Sequence, residues 1–529
     1  MRLRRSLQAF FLVFFFSLFF LATSSLSKVL PPDLFLRSDP LAGLLVFLMT
    51  WGSAAVFLPA LSVLALALIT GRAFCGYVCP LGTMLDVGAH LAKSPRRGPS
   101  WLVRNPGSGR LTLALLLVSG MLGASFLAWL DPLVLLTRTT ALVFQPWVLM
   151  GGFAALELVR PLAFRAEWFW ISEAQISVPH YWMSGLSVAL MGTIVAFSLW
   201  RNRLWCRAFC PLGALLGILG SRAPLARAVG SSCTMCGACQ RICPMGAIGE
   251  SPEITRPGLC ILCTRCREAC PVNAIDFKWG SNPKPSPEVQ EGLSRRALMA
   301  TAGVGLVSAL TIKADAGKAG PRDRLIRPPG AVPEEAFLNR CLRCGWCLSV
   351  CMSHTIQPSL WQGGLDSIWT PRLDLRLAPC EKHCNRCGQV CPTGAIRPLS
   401  LEERIHAKIG TAVLLRERCL VWEQDRTCLV CDEICPYDAI EFKEVDGRRR
   451  PFVTENRCNG CGYCEHKCPV QGESAIVVVR MGEIRMERGS YVEESRARGL
   501  VFRGSREENP AEPYPDRTGK GLPPGFLKP

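Results

Sequence analysis

Residues 233–244 read Cys233-Thr-Met-Cys236-Gly-Ala-Cys239-Gln-Arg-Ile-Cys243-Pro244. The C-x2-C-x2-C-x3-C-P spacing is the bacterial ferredoxin pattern, in which thiolates hold 4Fe–4S clusters. Working outward, the run recurs as Cys260, Cys263, Cys266, Cys270, then as Cys341, Cys344, Cys347, Cys351, and as Cys380, Cys384, Cys387, Cys391. Two more follow, Cys419, Cys428, Cys431, Cys435 and Cys458, Cys461, Cys464, Cys468. Six runs use 24 of the 28 cysteines, which implies six 4Fe–4S clusters in α+β ferredoxin-like two-cluster modules.

In two-cluster ferredoxins the fourth cysteine of each run ligates the other cluster. Site 1 is then Cys233, Cys236, Cys239 and Cys270, and site 2 is Cys260, Cys263, Cys266 and Cys243. Site 3 is Cys341, Cys344, Cys347 and Cys391, and site 4 is Cys380, Cys384, Cys387 and Cys351. Site 5 is Cys419, Cys428, Cys431 and Cys468, and site 6 is Cys458, Cys461, Cys464 and Cys435. Met352 replaces the proline after Cys351, and Cys419 lies nine residues before Cys428. These departures leave open a nested pairing of run three with six and four with five. The Ala-Ile pairs 247–248, 274–275, 395–396 and 439–440 read as small apolar lids over the clusters.

Competing readings are weaker. Disulfide frameworks belong to small secreted chains, and this chain has 529 residues. Structural zinc takes two separated pairs rather than one four-cysteine run with a trailing proline. No Cys-x-x-Cys-His motif supports c-type haem.

The first 230 residues carry bilayer-length apolar stretches. Spans are expected at about Leu7–Leu26, within Leu41–Thr70, at Leu111–Leu130 and at Ser184–Trp200, so the fold class is membrane α-helical with about four transmembrane spans, plus the ferredoxin modules. A cleavable signal competes for the first stretch, but its apolar run is long and lacks a convincing cleavage site. Basic residues cluster at 71–110 and after Trp200, which places both on the cytoplasmic side. Ala141–Val159 is apolar but broken by Gln145, Pro146 and Glu157, and reads as an interfacial or re-entrant element admitting a lipophilic substrate. The formal net charge of +18 is absorbed largely by this orientation, and no basic-aromatic patch suggests nucleic-acid binding.

The remaining cysteines form two matching motifs, Cys75-Gly-Tyr-Val-Cys79-Pro-Leu-Gly and Cys206-Arg-Ala-Phe-Cys210-Pro-Leu-Gly. On a helix, positions i and i+4 share a face. Two such pairs could close one tetrathiolate metal site or act as a dithiol redox couple, and buried free thiols are the bland reading.

A polar linker, Lys278–Gly292, precedes Ser294-Arg295-Arg296 and an apolar run to Ile312, then Ala314-Asp315-Ala316. These are the parts of a twin-arginine export signal in an internal position, or else a short buried helix. The expected division is 1–230 membrane domain, 231–290 cytoplasmic two-cluster ferredoxin, 291–320 signal or anchor, 321–480 periplasmic four-cluster polyferredoxin, and 481–529 poorly ordered tail.

On these motifs, the first 290 residues resemble the NapH family of membrane quinol-oxidising subunits. Residues 291–480 resemble the NapG/MauM family of twin-arginine-exported polyferredoxins. The resemblance implies a bacterial cytoplasmic-membrane protein. It would pass electrons from the quinone pool, with quinol as substrate, to a periplasmic reductase or cytochrome acceptor. Electron donation during assembly of a periplasmic metalloenzyme is the alternative. No hydrolytic constellation is present. His90, Asp86 and Glu157 are candidate proton acceptors, and His354, His383 and His466 read as polar neighbours of clusters.

Overall fold

A computed structural model describes residues 2–22, 30–50, 55–91, 108–123, 129–200, 202–280, 295–318 and 324–502. The linker from 281, Ser294 and the tail beyond 502 lie outside these residues. Two helices are long and apolar enough to cross a bilayer, Arg2–Leu21 and the 34-residue Pro132–Arg165. The stretch expected as one span within 41–70 contains two helices, Pro40–Thr50 and Leu58–Thr70, with Pro59 starting the second. The apolar helices Ser108–Met121 and Ser184–Trp200 are shorter than 18 residues.

Ala141–Val159 corrects the sequence reading. It lies inside the continuous helix Pro132–Arg165, so Gln145, Pro146 and Glu157 do not break it. Asp131 caps that helix, accepting from the Leu133 and Val134 N–H groups. A π-helical turn at Thr140–Phe144, in which Gln145 N–H reaches the Thr140 carbonyl, carries the chain into Gln145–Arg165 and directly precedes Pro146, which has no N–H to donate.

The ferredoxin units are built on short antiparallel pairs. β1 (Leu225–Val229) and β2 (Ile275–Trp279) close the segment holding sites 1 and 2. In the second unit β3 (Ile356–Pro358) pairs with β4 (Pro371–Leu373), and β5 (Thr411–Leu414) with β8 (Ile476–Val479). β6 (Ile440–Val445) and β7 (Arg448–Val453) form a hairpin whose turn residues, Asp446 and Gly447, have φ of 53° and 70°. Such positive values suit the twist of a two-residue hairpin. The unit extends past residue 480. Helix Tyr491–Ala497 buries Tyr491 and Ser495, and Phe502 packs edge-on against Tyr437 and His406, so the expected disordered tail begins too early.

The two units engage opposite ends of helix Arg2–Leu21. Near its start, Arg4 donates to the Gly76 carbonyl and sits beside Cys263 of site 2. Near its end, Phe19 stacks on Trp346 between Cys344 and Cys347 of site 3, with ring centroids 4.1 Å apart. Fifteen residues of helix separate these contacts by about 22 Å. Helix Arg295–Lys318, which carries the arginine pair, packs along Ser108–Met121 and touches the turn Leu365–Ser367 of the second unit. Ala314-Asp315-Ala316 continues it as helix.

Candidate functional site

Four pockets are each lined by one cysteine quartet. They are Cys260, Cys263, Cys266 with Cys243, Cys341, Cys344, Cys347 with Cys391, Cys419, Cys428, Cys431 with Cys468, and Cys458, Cys461, Cys464 with Cys435. The structure thus brings the crossing cysteine to its neighbour's run at sites 2, 3, 5 and 6, and pairs run three with four and five with six rather than nesting them. At site 4 Cys387 lies beside Cys380, Cys384 and Cys351. At site 1 Cys239 lies beside Cys233 and packs with Cys270.

The donor chemistry fits clusters better than single ions. Four thiolates on one zinc at 2.3 Å would stand about 3.8 Å apart. Among the described residues no three His, Cys, Asp or Glu side chains converge in that way. The cysteines instead line a shared pocket four at a time, the donor set that a 4Fe–4S cluster takes. Burial, helped by the neighbouring thiol Cys428, pushes the Cys431 thiol up to about 12, so loading must displace protons.

The alanine four residues after the crossing cysteine has a role the lid reading missed. The Ala247, Ala274 and Ala439 N–H groups donate to Cys243, Cys270 and Cys435 Sγ at 3.3–3.4 Å. In run four Ile396 N–H does the same for Cys391. Cys351, despite Met352, still receives the Ile356 and Thr355 N–H groups. Buried arginines add to this. Arg404 Nη2 stands 3.2 Å from Cys380 Sγ, and Arg227 Nη2 stands 3.6 Å from Cys239 Sγ. Hydrogen bonds to sulfur and nearby charge set cluster potentials.

Cys75, Cys79, Cys206 and Cys210 are buried together, close enough for Cys75 and Cys206 both to act on Cys79 and Cys210. Cys79 and Cys210 precede the helices Pro80–Leu91 and Pro211–Leu219, and Cys210 Sγ accepts from Gly213 N–H. A helix N-terminus favours thiolate, but here burial outweighs it and pushes both thiols up.

Two arginines brace this quartet. Arg203 donates to the Cys75 and Gly82 carbonyls, and Arg72 to the Cys206 carbonyl. A Cβ on Gly82 would fall 3.2 Å from Arg203 Nη2, and one on Gly213 only 2.1 Å from Arg72 Nη2. The glycine of each Pro-Leu-Gly therefore admits the arginine of the other motif. The signal was present in the sequence, since Arg72 and Arg203 each stand three residues before their cysteine.

The candidate proton acceptors are differently employed. Asp86 bonds Arg203, Arg4 and Gln8. Burial pushes its carboxyl up, but the Arg203 charge and bonds outweigh this and hold it well below the usual range. It is a structural anion. Glu157 pairs with Arg160 on the helix surface, and His90 is exposed at a helix end. His354 Nε2 meets Ser177 Oγ at 3.0 Å, joining the two halves, while His466 Nδ1 meets the Arg376 carbonyl and His383 is exposed.

Comparison with known proteins gives the same chemistry. A 4Fe-4S binding domain family matches residues 42–99 and 183–229, which contain all four cysteines of the braced quartet. Two further 4Fe-4S binding domains match 233–247 and 254–276, and a 4Fe-4S dicluster domain matches 426–471. The methylamine utilization ferredoxin-type protein MauM of Paracoccus denitrificans is 38% identical over 201 residues, 35% of this chain and 88% of that one. The chain belongs to the MauM and NapG family of ferredoxin-type proteins. NapG of Escherichia coli K12 is 35% identical over 178 residues, covering 31% of this chain and 75% of that protein. NapF of the same organism is 31% identical over 152 residues, 28% and 84%. No solved structure matches. This ferredoxin-type chain is an iron–sulfur electron-transfer protein that holds several 4Fe–4S clusters.

Proposed function

We propose that this chain is a membrane electron carrier that takes electrons from quinol and delivers them through six clusters to a periplasmic oxidoreductase. The observation that carries the reading is the seating of one ferredoxin unit at each end of the apolar helix Arg2–Leu21. Sites 1 and 2 would lie on the cytoplasmic side and sites 3 to 6 on the periplasmic side, with the arginine-pair helix retained as a crossing element. The first half would correspond to a NapH-like subunit joined to a NapG/MauM-like partner. Each cluster carries one electron, so a two-electron quinol is oxidised in two steps. The chain's own part is to hold thiolates in series and supply N–H and guanidinium donors to sulfur. The braced quartet adjoins site 2, since Gly76 abuts Ile261; its thiols do not converge on a single ion, and it is proposed as a redox centre, a dithiol couple or a further cluster.

The test is anaerobic. The full chain in detergent is given a quinol, and cluster reduction is followed by EPR. Reduction of sites 3 to 6 is expected. Clusters that stay oxidised with quinol yet accept electrons from a reduced low-potential ferredoxin would overturn quinol oxidation and favour electron donation to metalloenzyme assembly.

A further inference from the structure

Arg138 is only 1% exposed, on helix Pro132–Arg165, and none of its three guanidinium nitrogens has a hydrogen-bond partner. A buried, unsatisfied cation is costly, so an acceptor of matching shape and charge is called for. Its surroundings say where. The guanidinium lies 3.9 Å above the Trp369 ring, and Trp369 lines the site 3 cavity with Arg343, Gly345 and the four cysteines. A Cβ on Gly345 would stand 3.6 Å from Arg138 Cα and 3.2 Å from Ala141 Cβ, so helix and cluster loop are in direct contact. Cys344 is the thiol that acts on Arg138 electrostatically.

Other charges near the site are already engaged. Arg343 donates to the Ile368 carbonyl and to Asp366, and Asp33, which faces Cys344, is paired with Arg37. Arg404 offers a parallel inside the same unit, reaching Cys380 Sγ with one nitrogen while Nε and Nη1 stay unpartnered. We propose that Arg138, stacked on Trp369 at the back of the site 3 pocket, is the buried counter-charge of the site 3 cluster and raises its reduction potential. A cation beside a cluster favours the reduced, more negative form. The membrane half thereby tunes the cluster it touches, which is the point where electrons would enter the four-site unit.

This inference rests on the ligand set proposed for site 3, and the experiment separates the two. The full chain is purified anaerobically, assayed for iron, and titrated redox-potentiometrically under EPR, the site 3 signal being the one altered by Cys344→Ser. Arg138→Gln is expected to keep wild-type iron and move that signal alone to lower potential. The shift should reach a tenfold change in the oxidised-to-reduced ratio, about 59 mV for one electron. Arg138→Lys, which keeps the charge but loses the fork, should fall between. If the glutamine variant loses iron, the lysine variant decides by its own smaller shift in the same direction. An unmoved site 3 potential, or an equal shift at every site, overturns the proposal. Absence of any Cys344-dependent signal in the wild type overturns the ligand set, and the proposal falls with it.

Discussion

Glu334 shows how single charges hold the four-site unit. It receives Arg327 on one oxygen at 2.6 Å and Arg485 on the other at 2.7 Å, and Arg327 is almost wholly buried. Burial pushes the carboxyl up, but the Arg327 and Arg485 charges and bonds win and hold it down at about 2. A carboxyl depressed on folding stabilises fully above its unfolded value, here 4.5, and that contribution is lost as pH falls through the folded value. Glu334→Gln should therefore be less stable than wild type at pH 7, and the gap in urea midpoint should narrow as pH falls from about 4.5 toward 2. A gap that stays constant would show that the carboxylate charge is not the stabilising element. Arg138 and Asp86 belong to the same scale, and both were opaque in the sequence. A lone arginine in an apolar run and a lone aspartate after a cysteine motif acquire meaning only from residues 231 and 117 positions away, Trp369 and Arg203.

At the scale of elements, close backbone approach couples the first ferredoxin unit to the apolar half. A Cβ on Gly76 would meet the Ile261 carbonyl at 2.6 Å, whereas at Gly151, on helix Gln145–Arg165, nothing lies within 4 Å. Gly76→Ala should loosen the contact by about 1–3 kcal/mol, seen as faster hydrogen exchange at residues 254–264. Gly151→Ala should be neutral or stabilise by up to about 1 kcal/mol. Unchanged exchange in Gly76→Ala would mean the interface yields cheaply. The cysteine spacing made the quartets legible because ligand intervals are local, and the crossing pattern follows from the two-cluster geometry. The helices were harder. Hydropathy marks an apolar stretch between 41 and 70 but not its division around Pro59, and Pro146 reads as a breaker, although the π-turn before it carries the helix through. Where helix Tyr491–Ala497 packs was hidden for another reason, since its charged exposed face masks the buried Tyr491 and Ser495.

Across the whole molecule the sites have a definite order. Site 3 touches the apolar half through Trp346 and Gly345. It shares runs three and four with site 4. Site 4 meets site 6, because Cys380 N–H donates to the Cys461 carbonyl and Arg404 and Tyr437 lie between the two quartets. Site 6 shares runs five and six with site 5. The sequence of sites is therefore 3, 4, 6, 5, and it departs from chain order because the crossing cysteines fold each pair back on itself. An electron entering at site 3 from the apolar half is therefore expected to pass site 4 on its way to site 6. Removing site 4 with Cys387→Ser should leave site 3 reducible by quinol and sites 5 and 6 oxidised, although dithionite still reduces them. Rapid-freeze EPR after quinol addition distinguishes these states. Rapid reduction of sites 5 and 6 in that variant would place the entry point at the far end, and the contact of site 3 with the apolar half would then serve attachment rather than transfer.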